Sequence, residues 1–546
     1  MIKTILLIFA ICTASILFSQ TIGANGEGLT EKYLPADISL IQDLGHIAIA
    51  VPGGASAKNT YARLNVPGYG MRLDSINAWF AKYKADENGE GLEKEIKDYE
   101  QDKIAPRSYL YDLADIQNQT GCELIWKVNV FSSPSDVVFT ILDFLSLAGT
   151  SISYFELGNE LYFIDLNGDG KKQDGPEYVA LCIPYINALR STFPDIPIAM
   201  NYAQDITNKA HGLFNDAVEN YILTNPGKVK AVGPHPYLST SNVLLPAAEL
   251  HPSYIPGSRE EITPLDYSSA YNAQLNAAFN EYNRIWSTTG YYQSLIDTIK
   301  SALPGIEVIT TEWQSNPILL WGDTESNGAY LFYTFTTYRP DIKYFLAHNL
   351  LGGYTFAWVY NHGTSVKYYA AKLANELPLE FSDIAYNQGI NIEQSGTYYY
   401  RYINTSNDFY SVDINLPAGA TYEVTNKFVW GLYNYSSMGG AGFYNKKKGS
   451  PIQGVDAFYT ESEDLEVKGN SFGFIKITVT IPDPIVYGCT DPGALNYNPE
   501  AEKEFTPSNC EYEDIYCFKK RFFSKGCKLD PKCKKNNCTP KGRLAR

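Results

Sequence analysis

The sequence predicts an α/β fold: a (β/α)8 TIM barrel, then an antiparallel β-sandwich, then a small disulfide-rich basic tail. Three observations predict it. Helical and strand patterns alternate in about eight units from about residue 35 to 360. From about Thr364 to Pro482 they give way to short Tyr- and Val-rich strands separated by Gly, Asn, Pro and Asp. Beyond that, Cys489, Cys510, Cys517, Cys527, Cys533 and Cys538 crowd into the last stretch of the chain. The expected division is a leader at 1–24, the barrel at 25–363, the sandwich at 364–483 and the cysteine-rich tail at 484–546.

Taken in order, "PADISLIQDLG" has helical periodicity and "HIAIAV" is a short apolar strand; "SYLYDLADIQNQTG" and "LIWKVNVF" repeat the pair. The helix "PSDVVFTILDFLSLAG" leads into the strand "SISYFEL", and "PEYVALCIPYINALRSTF" into "IPIAMN". Next come "GLFNDAVENYIL" with "VKAVGPHPY", and a long helical region from Tyr271 to Leu303 with "IEVITTEW". The last pair is "NGAYLFYTFTTY" and "YFLAHNLLGGYTFAW". Only "TIGANGEGLT" precedes the first helix, so the first strand must be very short. An open doubly wound sheet is the rival architecture. It would carry a glycine-rich phosphate loop after an early strand, and "VPGGASAKNT" is neither GxGxxG nor GxxxxGK[ST].

The 546 residues, 45% hydrophobic and 19% charged, have the composition of a folded multidomain chain rather than a disordered one. The opening carries Lys3, an apolar run from about Ile5 to Phe18, then small and polar residues, the layout of a secretory signal with cleavage expected between Ser19 and Asn25. No later stretch reaches the roughly 18 apolar residues of a membrane span, so a secreted, extracellular protein without a transmembrane segment in its mature chain is expected. An even cluster of six cysteines in an exported chain reads as disulfides, with no pairing assigned; the lack of CxxC pairs and of tail histidines argues against zinc. Cys122 and Cys182 are left either paired or buried as thiols. Net charge is −16, concentrated in the body, which gives no expectation of a nucleic-acid partner. The tail is basic, with Asp530 its one acid after Cys517; it suits attachment to an anionic surface, or equally a solvated module charged for solubility.

The chemistry centres on "YFELGNELYF". A strand interior disfavours Gly, Asn and Glu, so the strand should stop at Leu157 and present Asn159 and Glu160 at its carboxyl end, the end at which barrels carry their sites. Glu160 then follows strand four, and Glu312 in "VITTEW" follows strand seven. Carboxyl ends of different strands converge in a barrel, and two facing carboxylates are what glycosidic bond cleavage requires. Against this stand blander readings: "GNE" and "TEW" each occur by chance, His235 suits a buried structural role, and Glu156 reads as a hydrogen-bonded carboxylate of the barrel interior. Trp313 is expected to pack behind the sheet, and His348 and Asn349 to open strand eight in a stabilising role.

Asn159-Glu160, His235 and Tyr237 in "GPHPY", Glu312, and Trp358 in "YTFAW" together resemble the large clan of retaining glycoside hydrolases built on an eight-stranded barrel. The similarity spans roughly residues 30 to 480 and points to the arabinofuranosidase, β-xylosidase and heparanase or glucuronidase branches, which also carry a β-sandwich. The resemblance implies Glu160 as general acid/base, Glu312 as nucleophile, Asn159 on the sugar 2-hydroxyl, His235 and Tyr237 as substrate contacts and Trp358 as a sugar platform. It implies a polysaccharide or oligosaccharide substrate and no cofactor. An aromatic content of 14%, with 43 Tyr, suits faces on which sugars stack, and equally a Tyr-rich sandwich. A non-catalytic carbohydrate-binding or adhesion protein on the same barrel is the alternative. "DLNGDGKKQDGPE" opens like a calcium loop through Asp165, Asn167 and Asp169, but Pro176 stands where the closing glutamate belongs; an Asp/Gly-rich turn is the other reading. The insertion Ser239 to Ser269 is expected to shape the cleft, and a stretch under thirty residues long, beginning "YGCTDPGALNYNPEAEKE", resembles a small cysteine-flanked module of exported proteins.

Overall fold

The computed structural model describes residues 21–26, 35–51, 109–130, 133–163, 174–205, 207–239, 291–316, 325–348, 350–352, 359–360, 363–364, 366–385, 388–404, 408–430, 459–469, 471–482, 487–503 and 510–511. Eight parallel strands close a barrel: β1 (Thr21–Asn25), β2 (Ala48–Val51), β3 (Glu123–Val128), β4 (Tyr154–Leu157), β5 (Ile198–Tyr202), β6 (Ala231–Pro234), β7 (Glu307–Thr310) and β8 (Tyr344–Ala347). Closure is made by β1, whose Thr21–Ala24 pair with Tyr344–Ala347 on one side while Gly23–Asn25 pair with Ala48–Ala50 on the other. The helices described between and after them are α1 (Pro35–Asp43), α2 (Tyr109–Thr120), α3 (Pro134–Leu145), α4 (Gly175–Thr192), α5 (Lys209–Thr224), α6 (Tyr291–Ala302), α7 (Glu325–Tyr338) and α8 (Val366–Glu376).

The strands are apolar runs because both faces are covered. Outward side chains such as Ile49, Val51, Leu124, Trp126, Phe155 and Leu157 join the core shared with the helices. Inward ones form a separate cluster: Ala48, Ala50, Ile125, Tyr154, Ala199, Ala231, Ile309, Tyr344 and Leu346. Small residues from four strand positions leave room for the two tyrosine rings, which meet edge to face at 5.8 Å. The amino-terminal end is tied by polar pairs: Tyr154 donates to Glu307 at 2.7 Å, Tyr344 to Glu123, and Thr21 to Glu123 at 3.1 Å. Side chains alternate along a strand, so the inward row continues two residues further on at Lys127, Glu156, Asn201 and Gly233. That next layer is the floor of the site.

After β8 the chain adds α8 and then a five-stranded mixed sheet in the order β9 (Ser382–Asp383), β10 (Gly396–Asn404), β13 (Ser471–Thr480), β11 (Thr421–Trp430) and β12 (Tyr459–Ser462). Short two-stranded pairs, Ile390–Asn391 with Ile414–Asn415 and Tyr410–Ser411 with Glu466–Val467, flank it. The pairing is mixed because β9 runs parallel to β10, while β11 and β12 are antiparallel. Arg401 of β10 anchors the sheet to the barrel: it donates to Thr336 and Thr337 of α7 at 2.7 Å each and holds Asp383 through two nitrogens at 2.6 and 2.9 Å. A second compact unit comprises Ile392–Gly396, Leu416–Tyr422 and Val479–Arg546, and within it Cys489 and Cys510 form a disulfide. Cys122 and Cys182 are buried thiols. The other four tail cysteines and the basic stretch lie outside the described residues. Among the described residues no helix is long and apolar enough to cross a membrane.

Candidate active site

At the carboxyl end of β4 the chain turns through Gly158 at φ 81° and Glu160 at φ 52°, the latter the one non-glycine residue of positive φ among the described residues. A Cβ at Gly158 would lie 2.5 Å from the Leu161 side chain, so both the dihedral and the space call for glycine. A left-handed conformation at glutamate costs roughly 1–2 kcal/mol, and such residues cluster at functional sites. The turn is pinned from β5, where Asn201 accepts from the Leu161 amide at 3.3 Å. Tyr178 of α4 bridges the two strands, donating to the Leu157 carbonyl at 2.9 Å and accepting from the Asn201 amide at 2.7 Å.

Glu156 faces inward and is fully buried. It accepts from Thr311 at 2.5 Å and from Asn201 at 3.2 Å, and lies 3.1 Å from His235 Nε2. Gly233 opposite it leaves room for this carboxylate, since a Cβ there would lie 2.9 Å from Glu156 Oε1 and would displace it. Burial opposes ionisation of Glu156, but Lys127 and His235 hold its carboxyl below the usual range.

His235 follows β6 and is 1% exposed, so its ring sits beneath the surface of the site. Its Nδ1 lies 3.6 Å from Glu160 Oε1 and 3.9 Å from Glu312 Oε2. One ring nitrogen thus lies within 4 Å of both carboxylates that follow β4 and β7 without hydrogen-bonding either, and their nearer oxygens are separated by no more than the sum of those distances. Burial pushes against the imidazolium, but Glu156 and Glu160 raise the His235 pKa to about 9, so it is a cation at neutral pH.

Glu312 is 4% exposed. Burial alone would neutralise it; His348 at 3.2 Å, Lys127 at 3.6 Å and the His235 imidazolium hold it well below the ordinary carboxylate range. Lys127 also donates to Asn159 Oδ1 at 2.5 Å. Trp313 is buried behind the strand with its ring stacked on Phe345 at 4.5 Å, which fixes the backbone carrying Glu312. The arrangement combines an ionised carboxylate and a second carboxylate across one charged imidazole, on a buried polar floor.

Of the residues singled out in the sequence, Asn159, Glu160, His235 and Glu312 are brought together. Tyr237 stands in a short strand, Tyr237–Ser239, paired in parallel with Gln314–Asn316 directly after Glu312, and its side chain lies outside the described residues. Trp358, the Ser239–Ser269 insertion and the loop residues Asp165, Asn167 and Asp169 also lie outside them. Among the described residues no group of His, Cys, Asp and Glu could hold a metal. Asp174, at the end of the calcium-like stretch, instead caps α4 by accepting from the Glu177 amide at 3.0 Å. Sequence reasoning missed Lys127, Asn201 and Thr311, and gave His348 only a stabilising role. His348 does not open strand eight: β8 ends at Ala347, and the histidine reaches Glu312. The available signal was the period of two, since each lies two residues beyond an inward apolar position.

No protein-family model matches the chain, and neither does any curated protein. The solved structures it resembles are glycoside hydrolases. They include the α-L-arabinofuranosidase of Thermotoga maritima, at 11% identity over 85% of this chain and 97% of that one with a TM-score of 0.48. A family 51 α-L-arabinofuranosidase from Bifidobacterium longum matches at 11% over 85% and 96%, TM-score 0.47. A 4-O-α-L-rhamnosyl-β-D-glucuronidase from Fusarium oxysporum 12S matches at 11% over 84% and 96%, TM-score 0.44.

Proposed function

We propose that this protein is a secreted retaining glycoside hydrolase that cleaves O-glycosidic bonds of a polysaccharide or oligosaccharide by double displacement, without a cofactor. The observation that carries the reading is that Glu160 and Glu312 both lie within 4 Å of one nitrogen of His235. Retaining enzymes hold their two carboxyl groups about 5–5.5 Å apart, a spacing open to two carboxylates that lie this close to one ring nitrogen.

Each residue then has a task. Glu312, ionised by its cationic neighbours, attacks the anomeric carbon while Glu160 gives its proton to the departing oxygen; a glycosyl ester forms on Glu312 and the alcohol leaves. Water enters, Glu160 takes its proton, and the resulting attack on the anomeric carbon frees Glu312 and releases the sugar with its configuration retained. His235 lies against both carboxylates and stabilises whichever is anionic at each stage. Asn159 meets the 2-hydroxyl, Tyr237 donates toward the nucleophile, and Trp358 supplies the platform for the ring.

A panel of aryl glycosides, together with plant and marine polysaccharides, tests this. The wild type should release sugar from at least one. Glu160→Gln should lose about 10²–10⁴-fold on substrates with poor leaving groups, the usual worth of general acid catalysis, and much less on activated aryl glycosides. No release from any substrate would instead support a non-catalytic carbohydrate-binding protein, and equal loss on both substrate types would remove Glu160 from the acid's role.

A further inference from the structure

We propose that Lys127 is a positioning residue of this site: its ammonium pairs with the Glu312 carboxylate and fixes the Asn159 side chain with its amide oxygen inward. The catalytic half of the inference rests on the hydrolase reading above; the electrostatic half does not.

Lys127 stands in the inward row of β3, two residues beyond Ile125 of the barrel interior, and has no exposed surface. A lysine so placed is sustained only by acceptors around it. Three face it: Asn159 Oδ1 at 2.5 Å, Glu312 Oε2 at 3.6 Å and Glu156 Oε2 at 4.0 Å. An ammonium has donors and no acceptor, so the Asn159 oxygen must turn to it. The amide nitrogen is thereby directed away from Lys127. A side chain whose two ends are nearly alike in shape is given one orientation by a charge it cannot reverse.

Glu312 is faced by Lys127 from β3, His235 after β6 and His348 after β8, with Glu156 and Glu160 as the competing carboxylates. His235 is shared among Glu156, Glu160 and Glu312. Lys127 stands nearer to Glu312 than to Glu156. Without Lys127, three carboxylates share two imidazoles, and Glu312 takes up a proton more readily.

The test compares wild type with Lys127→Met, a neutral side chain of similar length, in the full chain. The Glu312 carboxyl is followed by carbon-13 NMR of glutamate-labelled protein, its signal assigned by its loss in Glu312→Gln. Its titration midpoint should rise by about 1–3 units in Lys127→Met, the usual effect of losing a neighbouring opposite charge. The acid limb of kcat/KM should rise with it, and the preference for a 2-hydroxy over a 2-deoxy aryl glycoside should shrink. A folded Lys127→Met with an unmoved midpoint overturns the proposal. Should that variant fail to fold, the double variant Lys127→Met/Glu312→Gln should restore a cooperative melt, and failure to do so is equally contrary. A wild type that releases no sugar defeats the hydrolase reading, and the titration still decides the role of Lys127.

Discussion

His235 is the residue on which the electrostatics of the site converge, and its charge has a measurable consequence for stability. Its folded pKa, about 9, lies above the ordinary histidine value near 6.5 that it takes in the unfolded chain. The stabilisation from its protonation is therefore complete below the unfolded value and is lost as pH rises through about 9. The opposite sign holds for Glu156 and Glu312, whose lowered values give stability that is present above the ordinary carboxylate range and lost as pH falls through their folded values. His235→Gln should thus be less stable than wild type at pH 6, by a margin that narrows toward pH 10 by up to about 3 kcal/mol. Chemical denaturation at the two pH values measures it; a constant margin would mean that the ring titrates alike in the folded and unfolded chain, and a margin that widens toward pH 10 that the ring is held neutral. At this scale Glu160 and Glu312 were legible because a carboxylate beside Gly or Thr at the end of an apolar run has no structural reason to be there. Lys127 was not: inside "LIWKVNVF" a lysine reads as an interruption of the strand, and its acceptors come from β4 and from the residues after it and after β7.

The elements were readable where apolar runs are short and separated. All eight barrel strands fall within the predicted segments to within one residue, β3 starting one earlier at Glu123 and β5 ending one later at Tyr202, since parallel strands covered on both faces leave uninterrupted apolar stretches. The reading erred where a run is too long: "YFLAHNLLGGYTFAW" suggests one strand, but β8 occupies only Tyr344–Ala347. It also gave no helix after Thr364, whereas α8 lies at Val366–Glu376, its Tyr- and Ala-rich face buried through Tyr368, Tyr369, Ala370 and Ala371. The first strand bears on export. β1 begins at Thr21 and bonds to both β2 and β8, so a cut after Ala24 would remove four of its five residues and open the barrel between its neighbours. We propose that the leader is cleaved ahead of Thr21. Amino-terminal sequencing of the exported protein should find Gln20 or Thr21 first, and a chain beginning at Asn25 should lack a cooperative melt. A stable, active chain beginning at Asn25 would contradict the role given to β1.

Across the whole molecule, the barrel explains why residues about 150 apart in sequence lie within 4 Å of one ring nitrogen: eight strands tilt their carboxyl ends into one mouth, and the inward row changes there from alanine and tyrosine to charged groups. The change to a β-rich pattern after the barrel was likewise legible, while the parallel pairing of β9 with β10 was not, because nothing in a two-residue strand specifies its direction. The measurement closest to the central claim is the capture of the glycosyl ester. A slow 2-fluoro glycoside, chosen from the sugars the wild type releases, should leave one sugar on the protein; peptide mass spectrometry should locate it on Glu312, and the turnover product should keep the anomeric configuration of the substrate. A label on Glu156 or elsewhere, or a product of inverted configuration, would contradict the assignment of Glu312 as the nucleophile of a retaining hydrolase.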